Sequence, residues 1–325
     1  MDMPSYASFK SNLNAILRGA SHSGGAGLVP VPATIERPEG ARRYLVAAPP
    51  EATPGGRALV VLLHGAGASA DQVLGLAFPP SPLAVWLEIA AREQLVVIAP
   101  DAGRNGWADC FASDQRAAKQ DDVALIDALI TEAIVGRQVD PQRVYVMGVS
   151  RGGWMAYAVA TAIPQRLAAF SVVLAGMPPS GRTEAPAAPL SALIFGCTAD
   201  PLIYYHGGKP WYAFGFAEPV RSIADTVHCW RELAGLPDAP TVEQLPVSDP
   251  RGNTSVTRYL WGQASDGVQV GLYRIDGAGH AEPSRLKRYP RLVNWLTGLQ
   301  NADLETAEAA WDFFRAKRAT GADRR

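Results

Sequence analysis

Apolar and polar positions alternate along this chain in two registers, and the switches between them predict the elements. Ala58–Leu63 (ALVVLL) and Leu95–Ala99 (LVVIA) are unbroken apolar runs, the pattern of strands covered on both faces. Val144–Met147, Phe170–Leu174, Ala192–Phe195 and Val268–Ile275 read as further strands, and Arg42–Ala48 as a half-buried one. Between them the spacing becomes helical. Leu83–Glu93 is one such segment. Another begins at Asp121, a good N-cap, with Val123, Ile126, Ile130 and Ile134 on one stripe. Gly152–Ile163, Val220–Leu233, Tyr289–Leu299 and Leu304–Arg318 complete the helical set. Repeated β–α alternation with buried strands predicts an α/β fold: one domain with a mostly parallel sheet and helices on both faces.

The ends read differently. Residues 5–18 have the spacing of a short amphipathic helix, and residues 19–33 (GASHSGGAGLVPVPA) read as a Gly/Ser/Pro tether. Residues 1–40 are therefore expected to form an arm, 41–318 the α/β domain, and 319–325 a disordered tail.

Composition narrows the function. Of 325 residues, 48% are apolar and 19% charged, and 30 basic residues against 31 acidic leave a net charge of −1. That balance gives no basic patch for nucleic acid or an anionic membrane. No apolar run approaches the roughly 18–20 residues of a membrane-spanning helix, and the first twenty residues lack a secretory apolar region. The expected location is the cytoplasm, or outside the cell if a leader has been removed. Cys110, Cys197 and Cys229 have no metal-ligand spacing and are expected to be reduced and mostly buried, with one disulfide as the alternative.

Reactive groups gather just after the predicted strands, where open parallel sheets carry their chemistry. Ser150 lies in Gly148-Val149-Ser150-Arg151-Gly152, between a strand and a helix. Its flanking glycines suit a sharp turn that presents a nucleophile, although a plain β–α turn has the same composition. His64-Gly65-Ala66-Gly67 follows ALVVLL, so the amides of Ala66 and Arg151 are the candidate oxyanion donors. His64 itself reads as a structural loop histidine rather than a base. Asp200, in GCTADP, is a candidate partner for a histidine, or a turn-capping aspartate.

Among five histidines, His280 in IDGAGH alone follows a late strand on a glycine-rich loop. His22 falls in the tether, His228 in a helical pattern, and His206 only six residues from Asp200. Asp276, four residues from His280, is a rival acid. The order Ser150, Asp200, His280 is that of an α/β-hydrolase triad.

Residues 201–216 hold six aromatics: Tyr204, Tyr205, Trp211, Tyr212, Phe214 and Phe216. They form either an aromatic wall beside the site or the packing of their own loop. Tyr204 and Trp211, together with Trp107 and Trp154, are the candidate substrate contacts; a core role is the alternative for both Trp107 and Trp154.

These motifs resemble the α/β-hydrolase esterases of the polyhydroxybutyrate depolymerase and feruloyl esterase type, related to carbohydrate-ester esterases. The resemblance runs from about residue 41 to 317 through "VVLLHGAG", "VVIAPD", "GWADC", "RVYVMGVSRGG", "GCTADPLIYYHGG" and "YRIDGAGH". It implies Ser150 as nucleophile, His280 as base and Asp200 as acid, with no metal or organic cofactor. It also implies a small-molecule or oligomeric ester as substrate: aryl, sugar-linked or hydroxyalkanoate. "HGAGASADQVLGLA" is similar to the phospholipase/carboxylesterase group as well. The chain departs from the pattern at three places. Ala66 stands where cysteine or glycine is common, Arg151 where alanine is common, and Ala281-Glu282-Pro283 where an aromatic usually follows the histidine. An acyltransferase or serine peptidase on the same fold, or an inactive binding protein, are the alternative readings.

Overall fold

The structure is a computed structural model that describes residues 27–50, 55–103, 106–111, 120–179, 186–209, 219–248, 252–263 and 267–319. Ten strands form one sheet: β1 (Val31–Ile35), β2 (Arg42–Ala47), β3 (Arg57–Leu63), β4 (Val96–Pro100), β5 (Val139–Val149), β6 (Ala169–Val173), β7 (Ser191–Cys197), β8 (Thr241–Gln244), β9 (Ser255–Trp261) and β10 (Val270–Asp276). Their order across the sheet is β1-β2-β4-β3-β5-β6-β7-β10-β9-β8. The six central strands, β4 through β10 in that order, are mutually parallel. The outer strands β1, β2, β8 and β9 join them antiparallel.

The unbroken apolar runs are explained by helices on both faces. On one face, Leu59, Val61 and Leu63 of β3 pack with Ile126 and Ile130 of α3 (Asp122–Arg137), Met155 and Val159 of α4 (Arg151–Ala162) and Val227 and Trp230 of α5 (Ile223–Leu233). On the other, Ala58, Val60 and Leu62 meet Ala70 and Val73 of α1 (Ala70–Val73), Trp86 and Ile89 of α2 (Trp86–Glu93) and Trp311 and Phe314 of α7 (Thr306–Phe314). The remaining helix, α6 (Arg291–Thr297), lies on the surface, with Leu292, Trp295 and Leu296 exposed. Asp121 caps α3 as expected, its side chain accepting from the Ala124 amide at 2.8 Å. No helix among the described residues is long and apolar enough to cross a membrane.

Several boundaries differ from the sequence reading. Val31–Ile35, assigned to the tether and arm, is the edge strand β1, so the sheet begins ten residues before residue 41. The pattern concealed it because an edge strand is exposed and tolerates Pro32. β8 and β9 were also missed: every residue of β8 is exposed, so no apolar face marks it. Conversely, Tyr44–Ala47 of β2 is buried throughout, because β1 places it inside the sheet.

Parallel strands share one carboxyl edge, and this positions the site. β3, β5, β7 and β10 end at Leu63, Val149, Cys197 and Asp276, immediately before the loops that carry His64, Ser150, Asp200 and His280.

Candidate active site

Ser150 occupies the junction of β5 and α4 with φ 54° and ψ −120°, a backbone conformation that costs about 1–3 kcal/mol for a residue with a side chain. The surroundings hold it there. Its N–H donates to the Val173 carbonyl of β6 at 2.8 Å, and its own carbonyl accepts from Gly153 at 2.8 Å. The flanking glycines answer to close backbone approach. A Cβ on Gly148 would overlap the Gly152 carbonyl, and one on Gly152 would overlap the Leu63 carbonyl and stand 2.6 Å from that of His64. The turn therefore packs backbone on backbone across β3 and β5. Gly152→Ala is expected to lower stability by about 3 kcal/mol or more, because the obstructing atoms belong to a central strand that has no room to shift. Thermal unfolding against the wild type measures it; an unchanged Tm would contradict the packing.

His280 is delivered by the turn after β10, which is laced to the turn after β7. The Ala199 amide donates to the Ala278 carbonyl at 3.0 Å, and the Gly277 amide to Thr198 Oγ1 at 3.0 Å. His280 N–H donates to the Thr297 carbonyl at 2.6 Å, fixing the loop from the α6 side. With the loop so held, His280 Nε2 lies 3.0 Å from Ser150 Oγ and Nδ1 lies 2.7 Å from Asp200 Oδ2. The other Asp200 oxygen accepts the amides of Leu202 and Ile203 at 2.7 and 2.9 Å. The His280 side chain is 11% exposed and that of Asp200 2%. Burial opposes the charged imidazolium, but the charge and hydrogen bond of Asp200, with the charge of Glu282, outweigh it and raise the His280 pKa. The rival groups are placed elsewhere. Asp276 pairs with Arg274, His228 with Glu232, and His206 is exposed beside Tyr205. His22 lies outside the described residues.

The loop after β3 lies against Ser150: a Cβ on Gly65 would stand 3.5 Å from that of Ser150. His64 secures this loop. Its Nε2 accepts from the Ala102 amide at 3.1 Å, so the proton sits on Nδ1 and is donated to the Gly65 carbonyl at 2.8 Å. Burial lowers its pKa, which keeps this neutral tautomer. Ala66 follows on the same loop, and Arg151 opens α4.

Of the predicted substrate contacts, one lies in the core. Trp107 is 1% exposed, with Nε1 donating to the His64 carbonyl at 2.9 Å and its ring 5.0 Å from the imidazole. It is a buried support of the loop, not a cleft wall, because its polar edge and ring face are both engaged inside. Trp154 is half-buried on the first turns of α4. It donates to the Gly176 carbonyl at 3.1 Å and meets Phe111 edge-on, with ring centres 4.5 Å apart. Tyr204 is half-buried four residues past Asp200, and Tyr205 is buried beneath Arg274. Trp211, with Tyr212, Phe214 and Phe216, lies outside the described residues.

Three side chains had no partner assigned to them from the sequence. Arg151 Nε donates to the buried Asp109 carboxylate at 2.7 Å, and another guanidinium nitrogen donates to the Trp107 carbonyl at 3.1 Å. Together Arg151 and Asp109 tie the segment 106–111 to the start of α4. The third, Glu282, is a buried carboxylate two residues past His280. Only its place in Ala281-Glu282-Pro283, the stretch that lacks the aromatic usual after the histidine, set it apart.

A serine, a histidine and an aspartate hydrogen-bonded in series at the strand ends of a doubly covered parallel sheet are an arrangement that suits a hydrolase of this architecture. The chain belongs to the alpha/beta hydrolase family, whose model matches residues 60–294. It is 29% identical over 282 residues to the putative esterase NocK of Nocardia uniformis subsp. tsuyamanensis, spanning 84% of this chain and 78% of that protein. It is also 29% identical to feruloyl esterase B of Piromyces equi, over 50% of this chain and 29% of that longer protein. In fold it is similar to acetyl xylan esterase from Aspergillus awamori, with a TM-score of 0.56, 15% identity, and 88% of this chain and 99% of that one aligned. The chain is thus an α/β-hydrolase enzyme with esterases among its relatives.

Proposed function

We propose that the chain is a serine carboxylic-ester hydrolase in which Ser150 is the nucleophile, His280 the general base and Asp200 the acid that orients it. The observation that carries this reading is the continuous hydrogen-bonded path from Ser150 Oγ through both His280 nitrogens to Asp200. Asp200 has both oxygens engaged, so it stays an acceptor and holds the His280 proton on Nδ1. That leaves Nε2 unprotonated and facing the serine.

As Ser150 Oγ bonds to the ester carbonyl carbon, its proton passes to His280 Nε2 and the carbonyl electrons move to oxygen. The Ala66 and Arg151 amides receive that oxyanion, with the N-terminus of α4 behind them. Collapse expels the alcohol, which takes the proton back from His280. Water then repeats the sequence on the acyl-enzyme, releasing the carboxylic acid and restoring Ser150.

The substrate reading is an aryl, sugar-linked or hydroxyalkanoate ester. The names of the relatives support aryl and sugar esters, and half-buried Trp154, four residues past Ser150, and Tyr204, four past Asp200, are the candidate ring surfaces. A panel of p-nitrophenyl esters, methyl ferulate, acetylated sugars and hydroxybutyrate oligomers tests it. Hydrolysis of one of these classes with the largest kcat/KM is expected. Inertness toward all four would overturn the esterase reading.

A further inference from the structure

Arg151 follows Ser150 directly, and its guanidinium reaches the segment 106–111. Its Nε donates to Asp109 Oδ2 at 2.7 Å, and Nη2 donates to the Trp107 carbonyl at 3.1 Å. Gly106 leaves the space for it, because a Cβ there would stand 2.9 Å from Nη1. The residue that accepts this bond passes it on. The Trp107 indole N–H donates to the His64 carbonyl at 2.9 Å, and its ring lies 5.0 Å from the imidazole. His64 in turn donates from Nδ1 to the Gly65 carbonyl and accepts the Ala102 amide on Nε2. A continuous path of contacts therefore runs from the first residue of α4, through Trp107, to the loop that carries Ala66.

The middle of this path is anchored to the body of the domain. The Ala108 amide donates to Asp122 Oδ2 at 2.7 Å, and the other oxygen of Asp122 pairs with Arg42 at 2.7 Å. The Phe111 amide donates to Asp109 Oδ1 at 2.8 Å, so that carboxylate is oriented before it meets the arginine. Trp107 and Asp109 are 1% and 5% exposed. A charged fork on a buried carboxylate and a carbonyl holds both in one geometry, which a flexible surface arginine does not. The two ends of the path are the two places where the proposed oxyanion donors sit.

We propose that the Arg151 side chain and Trp107 are positioning residues that set the spacing between the Ala66 and Arg151 amides. The inference rests on the serine-hydrolase reading and gives a task to the arginine that stands where alanine is common. Arg151 supplies one donor through its backbone and holds the loop of the other through its side chain. Spacing matters because an oxyanion donor acts only within a narrow distance of the developing charge. Asp200 and His280 take no part, since the turns after β7 and β10 hold them independently.

The test uses p-nitrophenyl acetate, with kcat expressed per serine titrated by a fluorophosphonate so that misfolded protein is not counted. Trp107→Phe keeps a ring in the core and removes only the donor to His64. Arg151→Lys keeps a cation for Asp109 and loses the planar fork that also reaches Trp107. Each is expected to lower kcat about 5- to 30-fold with KM within about threefold of the wild type, less than the loss of a whole donor. The acid limb of the pH profile is expected to stay in place, because His280 is untouched. The double variant is expected to be about as slow as the slower single one, because both changes break the same path. Either variant carries the test if the other does not fold. A folded variant with kcat within about twofold of the wild type, a loss confined to KM, a displaced acid limb, or single effects that multiply in the double variant would overturn the inference. A wild type that reacts with neither the ester nor the fluorophosphonate would instead overturn the serine-hydrolase reading beneath it.

Discussion

Asp200→Asn is expected to leave the fold intact and to lower kcat about 10⁴-fold. The size is that measured in a serine protease when the same change puts the histidine in the wrong tautomer. The amide oxygen of asparagine can still accept the Leu202 and Ile203 amides, which take one oxygen of Asp200 at 2.7 and 2.9 Å. The amide nitrogen then faces His280 Nδ1, where a carboxylate oxygen now stands at 2.7 Å. Being a donor, it selects the imidazole tautomer protonated on Nε2. That nitrogen can no longer accept the Ser150 proton across its 3.0 Å contact. KM is expected to stay within a few-fold of the wild type, because Asp200 is buried behind the histidine and away from substrate. A large rise in KM with kcat preserved would contradict this assignment.

Ser150→Ala has the larger effect. Loss of the nucleophile is expected to cost about 10⁵-fold or more in kcat, with a remainder from the oxyanion amides and binding alone. Alanine meets the same backbone penalty as serine at φ 54°, so the Tm is expected to change little. Activity loss without unfolding separates the catalytic role from a structural one. The measurement is single-turnover kinetics on the best ester of the panel, with thermal unfolding run in parallel.

Much of this arrangement was legible in the sequence because burial on both faces leaves a strong mark. The runs ALVVLL and LVVIA could only be strands inside the sheet, and β3 and β4 lie there. The residues that follow such strands come to one edge by topology alone. Ser150, Asp200 and His280 could therefore be grouped although 130 residues separate the first from the last.

The unreadable parts have a common physical cause. β1, β8 and β9 are outer strands with exposed or half-exposed residues, so they carry no continuous apolar signal. Trp107 was ambiguous because a tryptophan near a site can line it or support it, and only the geometry of its N–H to the His64 carbonyl separates the two. Arg151 was unexplained for the same reason. Its partner Asp109 lies 42 positions earlier, on a segment with no periodicity of its own. Glu282 accepts hydrogen bonds from Ser81 and Tyr289, which lie on either side of it in the chain, one of them 201 positions away.

The central claim is that Ser150 is an activated nucleophile. Its most direct measurement is mass-spectrometric mapping of the protein after reaction with a fluorophosphonate and trypsin digestion. One phosphonyl adduct is expected, on the peptide of residues 144–151, at Ser150, and none in Ser150→Ala. An adduct on another residue, or none in a protein that hydrolyses esters, would contradict it.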